Sequence, residues 1–318
     1  MEVKQLLFSP IRYVSIICIL GLGIFTVTGS GGSSSDSGGG KDASSYKSAS
    51  SSSFSPVLAE NESGETVELF WKYEINQGTP LNVYQDGVAL TFQFDPLILV
   101  IDPADMERRA EIDGEFNGDS QGNSITGSYN VDVLESLDSL DGATMVDLTD
   151  MNMNMKIKVA GASIKVDVLV SVAYETPCEW FIDRDNLDEL PVGYVYNERG
   201  EIYGTATGEV WISGAYEDEM PINEQVSSAE KWEILEKLES YTVRGTTYEN
   251  VVKVKRETYV PDSSLSGYSS QETELTYWVA KGIGMIKGVG QFSVMGEPLE
   301  IELVETNLTV LSESTETE

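Results

Sequence analysis

Ile164, Val166, Val168, Val170, Val172 and Tyr174 alternate with Lys165, Asp167, Leu169 and Ser171. Apolar residues at every second position mark a strand with one face turned to a core. A slip of one residue would turn the whole row to water, so the pattern fixes register as well as conformation. The alternation returns in Leu275, Tyr277 and Val279, in Leu299, Ile301 and Leu303, and in Val252 and Val254 beside Lys253 and Lys255. Glu111–Val131 reads as a hairpin, with Ile112 and Phe116 going out and Ile125, Tyr129 and Val131 coming back. Asp119–Ser124 supplies its turn residues. The chain is therefore expected to be all-β and mostly antiparallel, as one large curved sheet or as two β-rich halves.

Against this background one short helix is predicted. Ser227-Ser228-Ala229-Glu230 forms a capping box, and Trp232, Leu235 and Leu238 follow at helical spacing up to Glu239. Val131–Leu140 reads either as a strand running into a loop or as a second helix. Pro177–Val192 breaks the alternation and reads as a solvated linker, with a weak cation site at Asp183, Asp185, Asp188 and Glu189 as the alternative. The expected organisation is a signal peptide at 1–28, a Gly/Ser-rich disordered tether at 29–55, β-rich regions at 56–189 and 190–311, and an acidic tail at 312–318.

The N-terminus carries the address. Lys4 and Arg12 precede an uncharged apolar run from Tyr13 to Val27. As a helix this run would span about 22 Å, short of a hydrocarbon core of about 30 Å, so a cleavable secretory signal fits better than a membrane anchor. Val27-Thr28-Gly29-Ser30 resembles a bacterial lipoprotein signal in which Ser30 stands where the lipidated cysteine would be. That resemblance implies export without lipidation, since serine offers no thiolate. Cleavage is placed around Thr28, Gly29 and Ser30, and an uncleaved N-terminal anchor is the alternative. The periplasm or the cell surface is the expected location.

Charge and rare residues exclude several functions. The 318 residues hold 20 Lys and Arg against 53 Asp and Glu, a formal charge of -33. Nucleic-acid backbones would be repelled by such a surface. Histidine is absent, which removes Ser-His-Asp triads, Cys-His pairs and His-ligated metals in their usual forms. Cys18 and Cys178 are the only cysteines, so no Cys-rich zinc site can form. Gly282, Gly284 and Gly288 resemble a phosphate loop, but a strand rather than a helix follows them, so no helix N-terminus is on offer. They read as glycines easing a curved strand. An EF-hand-like reading of Asn117, Asp119, Gln121 and Gly122 lacks a third acid and the closing Glu, since Ser128 stands there.

The most unusual stretch is Met151-Asn-Met153-Asn-Met155, continued by Ile157 and Val159. On a strand the three methionines share one face, about 7 Å apart. Three readings compete: an ordinary core row, the lining of an apolar ligand cavity, or a soft thioether site for Cu(I). No cofactor is assigned. Met151, Met153 and Met155 stand as the candidate ligand-binding residues.

From Leu190 to Leu308 the chain resembles uncharacterised exported β-rich proteins of Gram-negative bacteria. The resemblance rests on Pro191-Val192-Gly193, on Glu239–Val254 around Arg244-Gly245, on Tyr277-Trp278 leading to Lys281-Gly282-Ile283-Gly284, and on Glu300–Val304. The region looks like lipoprotein-carrier-type curved sheets folded around an apolar cavity. It carries no catalytic residue across. The expected function is thus a non-catalytic exported cell-envelope protein binding a lipid or other apolar ligand, or an envelope partner. The alternatives are a carboxylate-dependent hydrolase of polysaccharide and a surface structural or adhesion module.

Overall fold

The computed structural model describes residues 68–308, apart from 86–87, 121–122, 138–144, 160–161, 180, 185, 216, 263–266 and 293–297. Its strands are β1 (Leu69–Ile75), β2 (Leu81–Gln85), β3 (Val88–Phe94), β4 (Leu97–Asp102), β5 (Glu107–Ser120), β6 (Asn123–Leu137) and β7 (Met145–Val159). They continue as β8 (Ala162–Glu179), β9 (Val195–Gly214), β10 (Asp218–Val243), β11 (Thr246–Asp262), β12 (Gly267–Ala280), β13 (Gly284–Phe292) and β14 (Leu299–Thr306). All pairings are antiparallel and belong to a single sheet.

The topology is simpler than fourteen strands suggest. β3 and β4 lie end to end along the same edge of β5, and β2 and β1 lie in the same way along β3 and β4. Each pair is one strand interrupted: by a 3-10 turn at Asn76–Gly78, and by Asp95 and Pro96. From β5 onward each strand pairs with the next, and β14 returns to pair with β1, Tyr73 opposite Leu303. The result is a closed up-and-down meander, which removes most of the exposed strand edge that an open sheet would carry.

Alternation decides which face is inside. Leu69, Trp71, Tyr73 and Ile75 of β1 are buried, as are Leu275, Tyr277 and Val279 of β12 and Leu299, Ile301 and Leu303 of β14. Burying one such side chain contributes about 1.5–3 kcal/mol. Between them Lys72, Glu74, Trp278 and Glu300 face outward. A barrel that spans lipid has the reverse pattern, apolar outside and polar within. Close packing inside shows at the β5–β6 hairpin, where Gly114 lies opposite Tyr129 and Gly127 opposite Phe116. A Cβ on Gly114 would meet the Tyr129 hydroxyl at 2.3 Å, and one on Gly127 would meet the Phe116 ring at 2.4 Å. The two rings fill the space that the missing side chains leave.

Two expectations are corrected. The helix expected over Ser228–Glu239 is strand: β10 runs straight through it. Glu230, Trp232 and Ile234 alternate inward, and a bulge between Ile234 and Glu236 inserts the extra residue that makes the apolar spacing read as three. Thirteen cross-strand pairs to β11 outweigh a local cap worth about 1 kcal/mol.

The segment after β8 is not a solvated linker. Phe181, Ile182 and Leu187 are buried in the core, and Phe181 stacks at 5.1 Å on Tyr196 and 5.7 Å from Trp232. Asp188 ties this segment to the barrel wall through two lysines, while Asp185 of the alternative cation site lies outside the described residues. The Asp188 backbone carbonyl accepts from Lys237 at 2.5 Å, and its carboxylate accepts from Lys281 at 3.1 Å. Val131–Leu140 resolves in favour of strand as far as Leu137.

Candidate functional site

Register builds the inner wall in rows. Directly opposed residues of antiparallel strands share a face. One row runs Val131, Met153, Val168, Val210, Met220 across β6 to β10; the next runs Val133, Met151, Val170, Gly208, Ile222. A third begins Tyr129, Met155, Val166, Ile212. Met151, Met153 and Met155 are all under 3% exposed, as Ile157 is. The methionines therefore lie side by side, and their neighbours in the rows are aliphatic or aromatic.

The rows change character along their length. At β6 and β7 they are sealed, but Val170, Val172 and Tyr174 on β8 and Met220 and Ile222 on β10 are only partly buried. The cause lies in the pairing of β10. β11 first pairs with β10 at Ala229, so among the described residues Asp218–Ser228 pairs only with β9. The wall has a seam here, and apolar inner residues flank it.

Two ion pairs stand inside the barrel that sequence reading missed. Arg108 on β5 faces Glu135 on β6, both about 2% exposed, and their side chains are in contact. Arg256 on β11 donates from Nε and Nη2 to Glu230 Oε2 at 2.9 and 2.7 Å, while Trp232 Nε1 donates to Glu230 Oε1 at 2.7 Å. Both Glu230 oxygens are thus engaged, whereas glycoside hydrolysis requires two facing carboxylates free to act, about 5–9 Å apart. A sequence signal for these groups existed. Arg256 is in phase with Val252 and Val254, Glu135 with Val131 and Val133, and Arg108 with Ala110 and Ile112, so charges occupied inward positions.

Burial also governs the phenols of the inner wall. Burial pushes the Tyr129 hydroxyl well above the ordinary tyrosine value, with Asp95 and Asp113 adding to it. Burial raises Tyr277 too, against the opposing effect of Arg256.

The remaining predicted positions are placed as follows. Thr28, Gly29 and Ser30 lie outside the described residues. Cys178 is on β8, opposite Val146 of β7. Gly282 and Gly284 take φ of +72° and +88° in the turn between β12 and β13, and strand follows as expected. They serve the turn, while Gly288 lies on the inner side of β13. Asn117 and Asp119 sit on paired strand in the β5–β6 hairpin, and Gln121 and Gly122 lie outside the described residues.

No family model matches the chain, and no curated protein matches it. Among solved structures, the chain is similar to a beta-barrel-like protein of the domain of unknown function DUF1849 from Brucella abortus. That likeness has a TM-score of 0.38 and 8% identity, and covers 76% of this chain and 98% of the other.

Proposed function

We propose that this is a non-catalytic exported cell-envelope protein that binds an apolar ligand against the inner wall of β8–β10. The observation that carries the reading is the seam beside β10, where Val170, Val172, Met220 and Ile222 are partly exposed although they face inward. A wall that is aliphatic, thioether-rich and reachable suits an adaptable apolar guest, because methionine side chains reshape at small cost. Export rests on the N-terminal signal alone. Among the described residues no helix is long and apolar enough to cross a membrane.

The test is titration with the uncharged fluorescent probe N-phenyl-1-naphthylamine. The wild-type chain should bind it saturably, and Val172→Glu or Ile222→Glu should weaken binding at least tenfold while the melting temperature stays within a few degrees. Equal binding by the variants would remove the inner wall as the site.

A further inference from the structure

The outer face carries a concavity of about 450 Å³, running across β4 to β8. Four inter-strand steps of about 4.8 Å make it about 19 Å long. Its floor is apolar: Val100, Leu134 and Leu169. Leu169 is 44% exposed, one of four large hydrophobic residues so exposed among those described. It stands at an outward position that Lys165 and Asp167 occupy earlier on the same strand.

The rim has the opposite chemistry. Arg109 is held by Asp132 through a bidentate pair, Nε to Oδ1 at 2.9 Å and Nη2 to Oδ2 at 2.6 Å, so its charge is matched. Glu68, Asp102, Glu107 and Asp150 then remain around the groove, and none of the four pairs with Lys or Arg among the described residues. Other outer-face carboxylates do have cationic partners: Glu302 and Glu300 meet Lys287 of the neighbouring strand, and Glu257 meets Lys255 on its own strand and Lys231 on β10. Among the described residues no three acids come close enough together to hold a metal ion. An apolar floor would add nothing for a hydrated inorganic ion in any case.

We infer that this groove binds a small organic cation with an apolar body, an alkyl- or arylammonium compound, with the hydrocarbon on Val100, Leu134 and Leu169 and the charge among Asp102, Glu107 and Asp150. The volume lies in the range of small-molecule sites, about 300–1,000 Å³. Charge attraction at an open groove is screened by salt, so affinity falls as ionic strength rises.

The probe is octyltrimethylammonium, titrated calorimetrically into the full chain at low salt, with octanoate as a competitor that shares the tail but not the charge. The result expected is one saturable site, no competition by octanoate, and at least tenfold weaker binding to the triple variant Asp102→Asn, Glu107→Gln, Asp150→Asn. The replacements at 102 and 150 keep the oxygen that accepts from Ala104 N–H and from the Ser171 hydroxyl, so the local turns survive. Val172→Glu on the inner wall should leave this binding unchanged, which separates the groove from the interior. Absence of saturable binding, equal binding by the triple variant, competition by octanoate, or loss with Val172→Glu would each overturn the assignment.

Discussion

Arg256 lies directly across from Trp232, its guanidinium carbon 4.8 Å from the indole ring, and reaches diagonally to Glu230. The three side chains are within 2% of full burial, and Trp232 stacks on Tyr277 at 5.8 Å. Removing one member of a buried ion pair leaves the other charge uncompensated, at about 3–5 kcal/mol. Arg256→Met should therefore destabilise the barrel by about that amount in urea unfolding. Adding Glu230→Met should recover most of the loss, because an apolar pair of similar volume removes the stranded charge. Loss in the double variant equal to or beyond that in the single one would contradict this description of the pair.

The strand through 228–239 makes a sharp distinction between neighbours. A helix would put Trp232, Leu235 and Leu238 on one face, whereas β10 buries Ile234 completely and leaves Leu235 partly exposed. Ile234→Asn places a polar amide in the core and should cost about 3 kcal/mol or more. Leu235→Asn should cost at least about 2 kcal/mol less. Chemical denaturation of the two variants measures the difference directly.

How far the sequence discloses this fold depends on what each residue senses. Ile164–Tyr174 and Leu275–Val279 announce their faces because period two survives without interruption. Trp232–Leu238 misleads because one bulge residue turns a period of two into an apparent three. Phe181 and Leu187 are hidden among Asp183, Asp185, Asp188 and Glu189, and only the closing of the barrel gives those apolar residues somewhere to go. The Met151–Met155 row is legible as a face, but its continuation into the partly open β8–β10 wall depends on cross-strand register. The seam at Ala229 comes from where β11 leaves β10, which no local pattern encodes.

Alkaline sensitivity follows from the buried phenols. Tyr129 is raised in the folded state above its ordinary value near 10, by burial first and then by Asp95 and Asp113. A group raised on folding stabilises fully below its unfolded value, and that contribution is lost as pH rises through it toward the folded value. Stability should thus decline above about pH 10, and Tyr129→Phe should flatten that decline. Each unit of difference corresponds to about 1.4 kcal/mol. Unfolding midpoints between pH 8 and 11 give the comparison; identical alkaline limbs would contradict it.

Export makes its own prediction. In the native host the mature N-terminus should fall between Thr28 and about Ser35, in the soluble envelope fraction. Ser30→Cys should shift the protein to the membrane fraction by restoring a thiol for lipidation. N-terminal sequencing of the fractions reads both outcomes, and an intact Met1 in the membrane pellet would favour the uncleaved anchor.

The most direct measurement of the central claim is native mass spectrometry of the protein purified from its own host without detergent. The account predicts a discrete added mass that organic solvent extracts as an apolar compound, and that Val172→Glu lowers at least tenfold. A bare polypeptide mass, or an extractable ligand retained undiminished in that variant, would contradict a guest bound against the inner wall.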